Sequence, residues 1–514
     1  MENHPKYGML RAHQAEAATA ATKIATGVLG RGRTIVLAHV TPGGGKTIMS
    51  ACFADVLLDD DCCDLVVQVV PNGALRTQTQ QSFTNPQRGL KRALSTQIRK
   101  LEQGQLYERC GYVVTYQALQ NKKTREALLR LMRGKRVVVT LDEPHHLADR
   151  ALDAASLRDL DALDGGDPTD RDGKAWLEWV KPIVDAASVV LLMTGTLNRH
   201  DKQRIPFVRY DANKMPIVDI SYDRRAALDE QAVLPIEFEM QDAHALWKRY
   251  GKIYGARLAE ATTKAKQRDG LNTALRMPEY IGGVIRAGVE HWRKTQAANG
   301  HYGRMLVIMR DIKSAKLALD VLKTEMGVDA VIATSDEKEA QKTIAAFKAG
   351  KHDALVTVGM AYEGLDILDL THVVFLHRTR STTWCSQAVE RGARFDPTSK
   401  LSWDQQRCYV FCPDDQAMRT FVEDIRAKQA QAFKDRAGRL AGGIGRRPLG
   451  SGVQPISAEG LDTSWMSDDG TIVRGRDAEF ALRARSVFPF LSHLPAHHLV
   501  EVGRRIHADG AAAE

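Results

Sequence analysis

The run Val40-Thr-Pro-Gly-Gly-Gly-Lys-Thr47 packs three glycines, a lysine and a hydroxyl between an apolar stretch and a helix-like one, Ile48 to Leu58. That order suits the binding of a nucleoside triphosphate. Gly43, Gly44 and Gly45, entered through Pro42, let backbone N–H groups wrap the β- and γ-phosphates, and the following helix offers its positive N-terminus. Lys46 adds a point charge and Thr47 a hydroxyl for Mg2+. A second segment, Val137-Val-Val-Thr-Leu-Asp142-Glu143-Pro144-His145, is an apolar run ending in two acids. At the carboxyl end of a buried strand, Asp142 would hold the Mg2+ shell, and Glu143 would orient and deprotonate an attacking water. The two segments together call for hydrolysis of a nucleoside triphosphate with Mg2+ as cofactor.

Such groups converge only if a sheet carries them to one edge. The chain twice repeats short Val/Ile/Leu-rich runs followed by stretches with helical spacing, the pattern of buried parallel strands with crossover helices. The first set predicts strands over Thr34 to Val40, Leu65 to Val70, Tyr112 to Thr115, Arg136 to Leu141 and Ser188 to Met193. The second predicts them over Met305 to Met309, Ala330 to Ala333, Ala354 to Val358, His372 to Leu376 and Tyr409 to Phe411. The expected fold class is α/β, with two similar parallel-sheet lobes. Between them, Ala243 to Gln296 is rich in Ala, Lys, Arg and Glu and predicts a helical connector without strands. The expected division is 1–240 for the first lobe, 241–300 for the connector, 301–428 for the second lobe, and 429–514 for a basic linker and small C-terminal extension. Arg426 to Arg447 carries seven Lys/Arg against one acid and reads as a helix running into a basic, glycine-rich segment. Trp465 and Phe488 to Phe490 suggest a small packed element beyond it.

With 514 residues, 44% apolar and 26% charged, the chain is neither a stapled miniprotein, a fibrous repeat nor a disordered polymer. Its formal charge of +9 favours a polyanionic partner. Seven cysteines, an odd number without a zinc-like spacing, read as reduced thiols of a cytoplasmic protein with no structural metal. No stretch approaches the ~18 to 20 apolar residues of a membrane span, so no membrane association is expected. The run Asp149 to Asp172, with eight Asp against three Arg, reads as a solvated loop that would repel phosphates.

The phosphate loop and Asp142-Glu143-Pro144-His145 resemble motifs I and II of the superfamily 2 helicases, in the DEAD/DEAH-box, D-E-x-H form. Leu10-Arg-Ala-His-Gln14 resembles the element that reads adenine, which implies base recognition by Gln14. Val70 to Gln78 and Val114-Thr115-Tyr116-Gln117 resemble strand-end elements that touch a nucleic acid backbone. Thr194-Gly195-Thr196 resembles the motif that couples the ATP site to the track. Later, Leu306 to Asp311, Val356 to Asp366 and Gln387-Ala-Val-Glu-Arg391-Gly-Ala-Arg394 resemble motifs IV, V and VI. The resemblance implies two tandem RecA-like lobes and adds His145, Gln387, Arg391 and Arg394 to the catalytic residues, the two arginines as fingers on one helix face. It also implies Gly364 and Asp366 at the nucleotide and Asn72, Arg76, Thr115, Arg310 and Thr357 at the nucleic acid. Two departures stand out: Val40, where the usual loop has Gly or Ala, and Glu390, where many relatives have Gly and where an acid could pair with a finger.

Within the superfamily, the Thr-Gly-Thr form, Ile205 to Tyr210 and Tyr222 to Phe238 look most like the type III restriction motor and phage-type DNA helicase branch. The bland reading of Ile205 to Tyr210 is an edge strand with a Pro start. The resemblance implies an ATP-dependent helicase or translocase, with DNA preferred. An RNA helicase and a nucleotide-switched DNA-binding assembly subunit are the alternatives. Pro413-Asp414-Asp415 lacks the acid-x-Lys that would complete a nuclease signature, so any cutting would fall to a separate nuclease or effector subunit.

Overall fold

Valine-rich runs leave a strand little choice but burial on both faces, and both sheets are built from them. The structure, a computed structural model, describes residues 2–27, 33–97, 109–144, 147, 168–195, 197, 204–337, 339–358, 367–442 and the short pieces 464–466, 472–474, 484 and 499–502. His145, Thr196, Gly364, Asp366, residues 149–167 and Phe488 to Phe490 lie outside the described residues. Contacts group the chain into two units, Met1–Ala232 with Ser381–Thr383, and Val233–Arg380 with Trp384–Glu514.

The first unit opens with a small hairpin, β1 (Glu2–His4) and β2 (Gly8–Leu10). Its sheet contains β3 (Thr34–Val40), β4 (Leu65–Val70), β5 (Ala93–Ser95), β6 (Arg109–Thr115), β7 (Val137–Asp142), β8 (Val189–Thr194) and β9 (Ile220–Tyr222). Their order is β5-β6-β4-β7-β8-β3-β9, and every pairing is parallel. Alternate residues serve opposite layers. Val67 and Val69 pack with Leu128, Val180 and Ile183 of the helices Lys122–Met132 and Pro168–Asp185. Val66 and Val70 pack with Ala15, Ala51 and Cys52 of the helices Ala12–Ala25 and Lys46–Asp59. Each such valine contributes roughly 1.5–3 kcal/mol. The buried Gln68 side chain donates to Thr140 Oγ1 of the neighbouring strand at 2.9 Å, so the polar pair in this apolar sheet is satisfied.

In the second unit β10 (Ile236–Gln241), β13 (Arg304–Met309), β14 (Ala330–Ala333), β15 (Ala354–Thr357), β16 (Leu370–Leu376) and β17 (Cys408–Pro413) form a parallel sheet of order β10-β17-β16-β13-β15-β14. The two parallel α/β sheets are the tandem lobes expected. β10 joins the second sheet ahead of residue 240, and its outer edge is finished by the buried Gln429. That amide accepts from Ile236 N at 2.7 Å and donates to Ile236 O at 3.1 Å.

The stretch expected as a strandless connector departs from that reading. It opens with an antiparallel hairpin, β11 (His244–Arg249) and β12 (Lys252–Arg257), turned at Tyr250-Gly251, whose φ angles of 47° and 77° are both left-handed. The Ala/Lys/Arg content masked the alternation of Leu246, Lys248, Ile253 and Tyr254. The helix Pro278–Asn299 then lays Val284, Ile285, Val289 and Trp292 against Val307, Val374 and Phe411, so it is a packed layer of the second sheet. Ile205 to Tyr210 forms no strand; Tyr210 makes one isolated bridge to Pro216. The basic stretch from Arg426 begins inside the helix Gln416–Gly442, where burial pushes the Arg426 guanidinium below its ordinary value and its Nη2 donates to Phe238 O at 3.4 Å. Arg436 sits over Trp403, 5.0 Å from the ring centre. These two arginines are thus engaged in packing. A short antiparallel pair, β18 (Ser464–Met466) and β19 (Ile472–Arg474), is described in the C-terminal extension. No helix among the described residues is long and apolar enough to cross a membrane, and those residues contain no cluster of metal-ligating side chains.

Candidate nucleotide-binding site

Because β3, β8 and β7 lie side by side and run parallel, their carboxyl ends bring three distant segments to one edge. β3 runs into Thr41-Pro42-Gly43-Gly44-Gly45 and the helix Lys46–Asp59. Gly43 and Gly45 have φ of 77° and 95°, conformations that only glycine adopts without strain. Gly44 is required for space: a Cβ there would lie 2.7 Å from Val40 Cγ1 and 2.9 Å from Thr41 O. The unusual valine at position 40 is therefore accommodated by the glycine it touches. The turn closes through Gly44 N donating to Thr41 O at 2.9 Å, while Thr41 N donates to Tyr222 O at 2.8 Å.

At the end of β7 the backbone of Glu143 turns left-handed, φ 53°, and Glu143 N donates to Met193 O of β8 at 2.7 Å. Strain of this kind costs on the order of 1–3 kcal/mol and persists where neighbours hold it. It aims the carboxylate at three donors: the Lys46 ammonium, which forms an ion pair with it, and Thr194 Oγ1 and Gly195 N, each at 3.1 Å. Lys46, Glu143, Thr194 and Gly195 thus meet on one carboxylate. Gly195 also needs its missing side chain, since a Cβ would lie 3.2 Å from Pro42 Cδ. Asp142 is buried beside them, and its carbonyl accepts from the Tyr116 hydroxyl at 2.9 Å.

Gln14 lies against the loop. Its Oε1 accepts from Arg11 N at 3.1 Å, starting the helix, and its Nε2 donates to Gly45 O at 3.3 Å. Arg11, which sequence reasoning passed over although it sits in the same short element, donates from one guanidinium nitrogen to Gly43 O at 3.1 Å and Gly44 O at 2.6 Å. His13 stacks on Tyr222 at 4.0 Å, and burial pushes its pKa down to about 3. Burial likewise lowers the His39 imidazole at the end of β3. Nothing in the residue types alone marked Tyr116 or Tyr222 as supports of this edge.

Thr47 occupies the second position of the loop helix, half-buried. Its hydroxyl and the Asp142 carboxylate are hard oxygen donors, a set that fits Mg2+, which takes one or two protein oxygens and completes its shell with phosphates and water. The loop, with two left-handed glycines and a third that admits no Cβ, fits a phosphate group.

The expected backbone contacts are placed differently from one another. Asn72 Oδ1 accepts from Leu75 N at 3.1 Å and starts the helix Gly73–Phe83, on which Arg76 is half-buried. Thr115 Oγ1 accepts from Ala118 N at 3.1 Å. In the second unit Arg310 is buried and donates to Asn272 O at 3.3 Å, and the buried Thr357 hydroxyl has no hydrogen-bond partner. Gln387 is buried on the helix Thr382–Val389, but that helix ends before the arginines, so Arg391 and Arg394 do not share a helix face. The cause is tertiary. Gly392 passes where a Cβ would lie 2.7 Å from Cys408 Sγ and 3.1 Å from Leu370 O, and Arg394 bridges to Val233. Glu390, buried, stands in the turn that ends the helix, its N donating to Ser386 O at 2.9 Å.

Comparison with known proteins places the chain in a family. The family model for the type III restriction enzyme, res subunit, matches residues 8–199, and the helicase conserved C-terminal domain matches residues 290–396. The uncharacterized protein Rv2917 of Mycobacterium tuberculosis is 27% identical over 364 residues, 70% of this chain and 56% of the relative. The chain thus spans little more than half the length of the curated relatives it matches. Among solved structures, a fragment assigned to the HsdR subunit of a type I restriction enzyme from Vibrio vulnificus YJ016 aligns with a TM-score of 0.49 at 15% identity, covering 81% of this chain and 66% of that one. A variant of S. cerevisiae Dbp5 bound to RNA and ADP BeF3 aligns with a TM-score of 0.45 at 13% identity, covering 82% and 91%. The two family models account for more than half of the chain and fall on its two sheets in order, and the chain belongs to the superfamily 2 helicases, close to the type III restriction kind.

Proposed function

We propose that the chain is an ATP hydrolase that uses turnover to move along or open nucleic acid, with DNA as its preferred track. The observation that carries this reading is the Glu143 carboxylate held by Lys46, Thr194 and Gly195 beside a glycine loop. A carboxylate fixed this way can orient a water and take its proton. Lys46 and the loop amides would hold the phosphates, and Gln14 would read the base. Thr47 and Asp142 would hold Mg2+, which when bound neutralises developing phosphate charge. Thr194 and Gly195 contact the same carboxylate, and with Thr196, the next residue in the sequence, they are the proposed coupling element. His145, Gly364, Asp366, Gln387, Arg391 and Arg394 complete the proposed set, the two arginines as the charges that speed hydrolysis. An arginine finger is worth ~10³ to 10⁵ in rate.

The net charge of +9 supports a polyanionic track. Asn72, Arg76, Thr115, Arg310 and Thr357 are the proposed backbone contacts, and a separate nuclease or effector subunit is the proposed protein partner. The test is ATP turnover by the wild type and by Glu143→Gln with no nucleic acid, single-stranded, duplex and forked DNA, and matched RNAs. DNA stimulation lost in the variant is the expected result. Stimulation by RNA alone would replace DNA with RNA, and turnover indifferent to every nucleic acid would sink the motor and leave a switched assembly subunit.

A further inference from the structure

We infer that the hairpin β11–β12 is a nucleic-acid-binding element, stacking Tyr250 on an unpaired base while Lys248 and Lys252 hold the neighbouring phosphates. The inference rests on the nucleic acid reading above and adds a site that none of the expected contacts includes.

The two faces of this ribbon are unequal. The register pairs Trp247 with Tyr254 and Arg249 with Lys252, and puts Leu246 and Lys248 with Ile253 on the opposite face. The first face is anchored. Trp247 stacks with Tyr254 at 6.2 Å and borders Gly270 of the helix Lys264–Ala274, and Arg249 pairs with Asp269 of that helix at 3.3 Å. The second face has no such cover: Leu246 is 60% and Ile253 76% exposed, and Tyr250 at the tip is 90% exposed.

Three observations select the occupant. Residues 244–257 contain four Lys/Arg and no acid, and Lys248 and Lys252 have no ion-pair partner among the described residues. The tip is built at a cost, because Tyr250 takes a left-handed φ of 47° where such a turn favours Asn or Gly. That ring is also turned to solvent, with the neighbouring Arg249 guanidinium 5.5 Å from its centre, an exposed cation–π contact that offsets little of the strain. A polyanion with flat apolar faces satisfies lysines and ring together, and only unpaired bases offer such faces, since duplex bases are stacked on one another. A second copy of the chain fits poorly, because an isologous contact over the uncovered face would bring Lys248 of both copies into one interface with no acid on either hairpin to pair it.

The test is binding of a fluorescein-labelled oligothymidylate, read by anisotropy at several salt concentrations, on the full chain. Tyr250→Asn removes the ring and suits the turn; it is expected to weaken binding about five-fold to hundred-fold, with Tyr250→Phe close to wild type. Lys248→Ala with Lys252→Ala is expected to reduce the salt slope by ~1.4. ATP turnover without nucleic acid is expected to be unchanged in all three. Wild-type affinity in Tyr250→Asn with an unaltered slope in the double variant would overturn the inference while leaving the motor reading intact. A wild type that binds no nucleic acid would overturn both. Loss of self-association in sedimentation, with oligonucleotide binding intact, would overturn it in favour of a second copy.

Discussion

The two sheets share parallel topology and differ at their carboxyl edges. In the first, β3, β8 and β7 deliver a lysine, a threonine and a strained glutamate to one point, and a glycine loop with left-handed φ stands beside it. In the second, buried ion pairs occupy much of the described part of the corresponding edge. Arg380 after β16 pairs with Asp415 after β17 at 2.8 Å, Asp414 pairs with Arg419, and Thr357 at the end of β15 is buried. A parallel sheet brings loops together, and the loops decide which groups meet at the edge.

The largest expected effect lies in the first edge. Glu143→Gln keeps the hydrogen-bonding shape and removes the base, so ATP turnover should fall on the order of 10²- to 10⁴-fold with the melting temperature little changed. A drop below ten-fold in a steady-state assay would break the contrast. Acid comes next and should strike the second sheet harder. Burial pushes His291 down to about 4 and His377 down to about 3, and it also lowers the buried His372, whereas in the first unit it pushes His13 down to about 3 and lowers the less buried His39 and His4. Each stays neutral when folded but takes a proton in the unfolded chain below the ordinary 6.5, so stability is full above that pH and falls steadily beneath it. By pH 5 each of His291 and His377 should cost about 2 kcal/mol. Hydrogen exchange read peptide by peptide should show the second sheet opening first, and equal loss in both would contradict the prediction.

Gln429→Ala should cost about 1–3 kcal/mol, because it leaves the N–H and C=O of Ile236 unsatisfied on a buried sheet edge. Urea unfolding followed in the second sheet measures it, and a loss that appears in the first sheet instead would blur the comparison. Smallest is Lys428→Ala. It breaks the half-exposed pair with Asp424, 2.6 Å apart, and should shift stability by under about 0.5 kcal/mol.

How legible each part was follows from how local its cause is. The strands of both sheets could be read because Val137–Asp142 or Leu370–Leu376, buried at every residue, are mostly apolar runs. The hairpin β11–β12 escaped because a ribbon covered on one face carries half a pattern, and its turn uses Tyr-Gly where Asn-Gly would have announced it. The helix expected to present Arg391 and Arg394 looked continuous in spacing, yet Gly392 must slip past Cys408 and Leu370, a contact between residues far apart in the chain.

The sequence by itself determined the donors: three glycines, Lys46 and Thr47 after one strand, two acids after another, and enough apolar alternation for two parallel sheets. Those choices are local, because residue type sets hydrogen-bonding capacity and period sets the strand. Only the tertiary structure decided that β8 lies between β3 and β7, and therefore that Thr194 and Gly195 reach the carboxylate that also holds Lys46. It also decided that Arg310 turns inward and that Tyr250 turns out. Strand order and side-chain direction are settled by packing between segments distant in the chain, and that competition leaves no mark on either segment alone.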